Sequence, residues 1–313
     1  MADDPRAPVI RVIDVLADRY LRGKIQAVKL AMTSLLAGGH LLLEDIPGLG
    51  KTTLALALAR ALGLSFGRIQ CTSDLLPSDI TGLSIFDRNQ NQFRFLPGPV
   101  FSNLVLADEI NRAMPKTQSA LLEAMEERRV TVEGTTYPLP EPFMVIATQN
   151  PLEQVGTYPL PESQLDRFLV TTGIGYPPEA MEKAIILAGS IRDDILEIAP
   201  LITAEELLAA RRAVRSGVHL SPKIVEYIYR LAAATRDHRL LLAGVSTRGA
   251  IGLADAARAS AFLARRDHVL PEDVKALFVP VCAHRLILRP EHETLPRKEV
   301  LQSLLDTTPV PLA

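Results

Sequence analysis

The stretch LLLEDIPGLGKTTLALALARALG, residues 41–63, places a lysine and two hydroxyls directly after a glycine-rich turn. Glycines at 48 and 50 let backbone N–H groups face inward and approach an anion closely, where a Cβ would obstruct. Pro47 stiffens the turn, and Leu49 and Thr53 complete the loop. In such a loop the Lys51 ammonium lies on the β- and γ-phosphates of a nucleotide and the Thr52 hydroxyl coordinates Mg²⁺. A helix beginning at Lys51 would add its positive dipole end. The usual spacing G-x-x-x-x-G-K-[ST] asks for glycine at position 45, where this chain has Asp45. That departure removes neither the amides, the lysine nor the hydroxyl.

Four further places hold groups suited to the same chemistry. NLVLADEINR reads as a buried strand ending in Asp108 and Glu109. Both carboxylates then fall at the carboxyl edge of a sheet, where ligands bind in open α/β folds. Asp108 would hold the magnesium shell through water, and Glu109 would orient and deprotonate an attacking water. VIATQNP ends at Asn150, whose amide could bond the γ-phosphate and that water; a turn-forming Asn before Pro151 is the plainer alternative. LPESQLDRFLV puts Arg167 just ahead of a last core strand, on the flank expected opposite the phosphate loop, with Asp166 and Glu162 as ordinary ion-pair partners. GVSTRGA puts Arg248 in the first turn of a helix, unfavourable on dipole grounds unless a polyphosphate lies near.

The elements that must position these groups divide into two domains, residues 1–177 and 178–313. In the first, HLLLED, FGRIQC, NLVLADE, PFMVIATQN and RFLVTTG are apolar runs of strand length. Unbroken runs suit strands covered on both faces, hence a parallel sheet. LALALAR alternates with period two, but alanine and leucine favour helix, and a helix must follow a phosphate loop. SIFDRNQNQFRFLPG and RVTVEGTTYPLP read as hairpins turning at 89–91 and at Glu133-Gly134. The second domain reads as helices throughout: Thr203 and Glu206 have capping-box spacing, and Ser221-Pro222 opens another helix. No fixed-period repeat or low-complexity tract is present.

Composition limits the function classes. Lys+Arg 34 against Asp+Glu 36 gives no net positive field to gather nucleic acid. The amino terminus lacks a signal-peptide pattern and the longest uncharged run is too short to span a bilayer, so a cytoplasmic protein without membrane insertion is expected. Cys71 and Cys282 share no motif spacing and are expected as buried thiols.

Phosphate loop, Asp-Glu strand, Asn-ended strand, Arg before the fifth strand and Arg in a helical lid, in that order, resemble an AAA+ ATPase. More closely, GGHLLLEDIPGLGKT, DLLPSDITG, FLPGPVF, LADEINRA, ALLEAMEE, IATQNP, GTYPLPESQLDRF and STRGA resemble the MoxR family, over residues 21–286. The resemblance implies ATP and Mg²⁺ as ligands and a P-loop core with a five-stranded parallel sheet in the order 5-1-4-3-2, carrying two inserted β-hairpins. An all-α lid follows. It also implies Glu109 in Walker B, Asn150 as sensor 1, Arg167 as arginine finger and Arg248 as sensor 2. A nucleotide-dependent ring, expected as a hexamer, a von Willebrand factor A domain partner and protein clients come with it. Asp45 resembles a loop variant of that family. YLRGKIQAV departs from its frequent Gly-Gln pair, since Lys24 follows Gly23, which bears on adenine contacts near residues 21–23. With the chain ending soon after the lid, no extra recognition domain is expected. ATP-driven remodelling, maturation or cofactor insertion of protein clients leads. A nucleic-acid motor, a nucleotide-gated scaffold with little turnover and a small-molecule kinase are the rivals; intact Glu109 and Arg167 weigh against the scaffold.

Overall fold

A computed structural model describes residues 4–153, 155–189 and 191–310. The five apolar runs become β1 (Leu41–Glu44), β2 (Phe66–Gln70), β3 (Leu104–Asp108), β4 (Met144–Gln149) and β5 (Val170–Thr172). All pair in parallel, in the order β2-β3-β4-β1-β5. This is the expected 5-1-4-3-2 read from the other side. Strand β1 shows why its sequence does not alternate. Leu41 and Leu43 enter one hydrophobic cluster and Leu42 the other, and all three are fully buried. Successive strand side chains point to opposite faces, and here both faces are covered.

LALALAR is helical, within Lys51–Ala61. Leu54, Ala55, Ala57, Leu58, Ala59 and Ala61 are all buried, so the small alanines let this helix sit among neighbours on most sides. The hairpins form as Gly82–Asp87 with Gln92–Pro97, and Arg129–Val132 with Thr135–Pro138. Left-handed backbone at Glu133 (φ 48°) and Gly134 (φ 81°) closes the second hairpin as a two-residue turn. Phe95 of the first stacks on Tyr137 of the second, with ring centroids 4.1 Å apart, so the two hairpins are joined. Near the tip of the first, Phe86 and Phe93 pair edge to face and remain exposed.

Beyond Pro178 the described residues form helices and their connections, with one short ribbon, Leu241–Ala243 against Ile287–Leu288, and an isolated bridge between His219 and His268. Thr203 and Glu206 make the reciprocal capping bonds at 2.8 and 3.2 Å, and the Ser221 hydroxyl accepts from the Ile224 amide at 3.3 Å. Lid residues such as Leu253 and Phe262 share one apolar cluster with Leu41, so the lid is fastened to one face of the sheet. Cys71 and Cys282 are free and buried, and burial pushes both thiols up to about 12. No described helix is long and apolar enough to cross a membrane.

Two buried imidazoles tie the folded state to pH. His40 accepts from the Val145 amide at 2.9 Å and bonds the Met125 carbonyl at 3.2 Å, and His284 bonds the Phe168 carbonyl at 3.0 Å. Burial first, then nearby arginines, lowers each from an ordinary 6.5 to about 3. Below 6.5 the unfolded chain takes up protons that the folded chain refuses. Stability is therefore full above that value and falls as pH drops toward 3, by about 1.4 kcal/mol per pH unit for each histidine. Urea midpoints measured from neutral pH down to about pH 5 should fall in the parent. They should fall less steeply in His40→Gln; an unchanged slope would show that His40 is not the titrating group.

Candidate functional site

The turn after β1 brings the phosphate-loop residues to the carboxyl edge of the sheet. Gly48 and Gly50 hold φ of 85° and 90°, left-handed values that favour glycine, and open space lies where a Cβ at Gly48 would point. Gly50 caps the helix Lys51–Ala61, leaving that helix's first amides facing the loop. The Lys51 ammonium folds onto the carbonyls of Asp45 and Ile46. Burial lowers its pKa, opposed by the charges of Asp45, Asp108 and Glu109.

Asp45 has a structural task. Its Oδ2 accepts from the amides of Ile174 at 2.8 Å and Gly175 at 2.7 Å, and its Oδ1 from Ile46 at 3.1 Å. The carboxylate thus ties the phosphate loop to the segment leaving β5. Lys24 donates to the carbonyl of the same Gly175. Gly23 (φ 76°) lies so close to Pro178 and Met181 that a Cβ would stand 2.7 and 3.0 Å from them. Residues 21–24 therefore flank the loop from that side.

Asp108 ends β3 beside it, and Glu109 follows directly. The Thr52 hydroxyl lies 3.5 Å from Asp108 Oδ2, and the buried Thr148 hydroxyl donates to Oδ1 at 2.7 Å. Thr148 also accepts from the Glu109 amide at 2.8 Å, fixing Glu109 in left-handed backbone (φ 56°). Glu109 Oε2 is reached by Gln70 at 3.5 Å and Arg112 at 3.4 Å. Arg68 donates to both Gln70 Oε1 and Asp108 Oδ2 at 2.9 Å. A hydroxyl and a carboxylate at this edge are hard oxygen donors of the kind Mg²⁺ takes alongside phosphate oxygens and water. The donor set fits that ion.

Thr148, Arg68, Gln70 and Arg112 escape a reading of motifs. Arg68 and Gln70 could have been found from strand alternation, which places both on one face of FGRIQ, level with the end of β3. Asn150 also ends its strand at this edge, where Gln149 pairs with Glu44. Its Oδ1 accepts from the Leu152 amide at 3.1 Å, the turn-forming bond that was the plainer alternative.

The two arginines lie elsewhere. β5 is the direct neighbour of β1, so Arg167 is not separated from the loop across the sheet as its sequence position suggested. The separation runs along the strands: Arg167 precedes β5 and lies at the amino edge, whereas the loop follows β1 at the carboxyl edge. Arg248 lies beside Arg167. Both salt-bridge to Glu126, Arg167 Nε to Oε2 at 3.1 Å and Arg248 Nη2 to Oε1 at 2.5 Å. Those guanidiniums, Arg248 first, hold the Glu126 carboxyl below its usual range. Neither Asp166 nor Glu162 is the partner of Arg167. The carboxylate of Asp166 is taken by Arg285 at 2.6 Å.

Residues 40–170 match the model of the ATPase family associated with various cellular activities, and residues 233–304 match an AAA lid domain. Chaperone MoxR1 of Mycobacterium tuberculosis is 41% identical over 86% of this chain and 73% of its own. Protein MoxR of Paracoccus denitrificans is 37% identical over 93% of each chain. A crystal structure from Cytophaga hutchinsonii, named for a candidate ATPase, superposes with a TM-score of 0.90 at 38% identity, over 98% of this chain and 96% of the other.

Proposed function

Since this chain belongs to the MoxR family of AAA+ ATPases and is an ATP-hydrolysing enzyme, we propose that its turnover remodels or matures protein clients, in a ring whose active sites are shared between subunits. The observation that carries this reading is the placement of Arg167 and Arg248 together at the sheet edge opposite the phosphate loop. Each subunit would offer one edge to bind nucleotide and the other to complete a neighbour's site. The assembly proposed is a hexamer formed on nucleotide binding, in the cytoplasm, with a von Willebrand factor A domain partner.

Within one subunit the loop amides and Lys51 hold the ATP phosphates. Thr52 and Asp108 would hold Mg²⁺, which supplies charge neutralisation on the phosphates when bound. Glu109 takes the proton of the attacking water, with its backbone fixed by Thr148. Asn150, turning from the Leu152 amide, orients that water. Arg167 and Arg248 meet the γ-phosphate of the adjacent subunit.

Protein rather than nucleic acid is favoured as client by the exposed Phe86–Phe93 pair at a hairpin tip and by the naming of one relative as a chaperone. The hairpin turns contain no group with a role in the ATP chemistry. Shortening either turn should leave nucleotide affinity within about a factor of three, under ~1 kcal/mol, while abolishing the response of turnover to client. A large affinity loss would place the hairpins in the site itself. Salt-sensitive DNA binding that stimulates turnover would favour the nucleic-acid motor.

A further inference from the structure

Arg285 contributes nothing to the phosphate-loop edge, yet it is the most fully engaged guanidinium among the described residues. Its side chain is 4% exposed. Nε donates to Asp166 Oδ1 at 2.6 Å. Nη2 donates to the carbonyls of Phe168 at 2.7 Å and Asp166 at 3.3 Å, and Nη1 to those of Leu169 at 3.3 Å and Val281. All but the last of these acceptors belong to residues 166–169, the segment that carries Arg167. His284, the preceding residue, bonds the Phe168 carbonyl as well.

The stem of Arg285 has an equally tight neighbour. A Cβ placed on Gly249 would stand 2.9 Å from Arg285 Cδ and 3.2 Å from its Nε. Gly249 follows Arg248 in the first turn of the lid helix Thr247–Leu263. One buried side chain from the lid therefore touches the residues adjoining both paired arginines. A planar guanidinium offers several donors in a fixed fork, so it sets the relative position of the groups it binds in a way a lysine cannot.

We propose that Arg285 is the positioning residue of the arginine pair: it locks Arg167 and Arg248 at the spacing with which they enter a neighbouring subunit's site. This rests on the shared-site reading above. It gives the lid a second task, since any lid movement would be passed to residues 166–169 and hence to Arg167.

Arg285→Lys keeps the charge beside Asp166 and loses the fork. Asp166→Asn keeps the shape and loses the charge, and serves if the first variant fails to fold. Each is expected to bind ATP within about threefold of the parent and to turn it over roughly 10- to 100-fold more slowly, as expected for a misplaced catalytic group. Mixing either with Lys51→Ala protein should restore turnover, because the Lys51→Ala neighbour supplies a correctly placed arginine pair. A merely structural defect would not be repaired by a neighbour. Parental turnover in the folded variants, or equal losses of affinity and rate, would overturn the proposal. So would failure to recover activity in mixtures where Arg167→Ala does recover. If Arg167→Ala itself fails to recover in proven mixed rings, the shared-site reading falls, and this proposal with it.

Discussion

A Glu109→Gln protein is expected to bind ATP within about threefold of the parent and to hydrolyse it at least ~10²-fold more slowly. The substitution is nearly isosteric, and the left-handed backbone at 109 is held by the Thr148 hydroxyl through the amide, which the side chain does not affect. Lys51, Thr52 and Asp108 keep their places, so the phosphates lose no ligand. What is lost is the ability to accept a proton from water, since an amide oxygen is far less basic than a carboxylate. Arg112 and Gln70 both donate toward the present Oε2 and can satisfy an amide oxygen there. Equilibrium binding and steady-state turnover on the same preparation separate the two effects. Turnover at the parental rate would remove Glu109 from the mechanism.

Arg167→Ala should be slower still, by roughly 10³–10⁵ in rate, or about 4–7 kcal/mol of barrier. Its own phosphate loop is untouched, because Arg167 stands at the opposite edge of the sheet. The defect should therefore be curable from outside the subunit. Lys51→Ala fails for a different reason: the β/γ charge loses its ammonium. In mixed rings an Arg167→Ala subunit keeps a competent loop and borrows an arginine from a Lys51→Ala neighbour, so turnover should reappear on mixing. Co-assembled rings with no recovered turnover would leave Arg167 without a role in trans.

The sheet was readable because burial on both faces leaves a compositional mark: β1 has nothing but leucine before Glu44. The second hairpin was readable through Gly134, a residue at ease in left-handed backbone, and the first through the polar turn at 89–91 between alternating arms. The glycine turn before Lys51 and the strand ending at Asp108 were readable because local sequence makes each of them. Long-range partners left no such mark. Asp45 departs from the loop pattern in order to cap amides of Ile174 and Gly175, distant in sequence and brought near only by β1–β5 pairing. The unfavourable position of Arg248 pointed to an anion, but the anion present is Glu126, on another helix. Arg285 lay in a stretch that reads only as a lid helix, and its acceptors are mostly backbone carbonyls, which every residue possesses.

The Glu126 carboxylate between Arg167 and Arg248 has a consequence for the subunit on its own. Two adjacent guanidiniums at an open surface would repel each other and attract any passing polyanion. Glu126 halves the charge of that patch, and on the shared-site reading it would fill the position that a neighbour's triphosphate takes. Docking would then be an exchange of one anion for another rather than the capture of an anion by bare charge. A single carboxylate carries less charge than a triphosphate and is the weaker competitor for two guanidiniums. On the shared-site reading, a free subunit would hold passing polyanions less tightly than a bare arginine pair would.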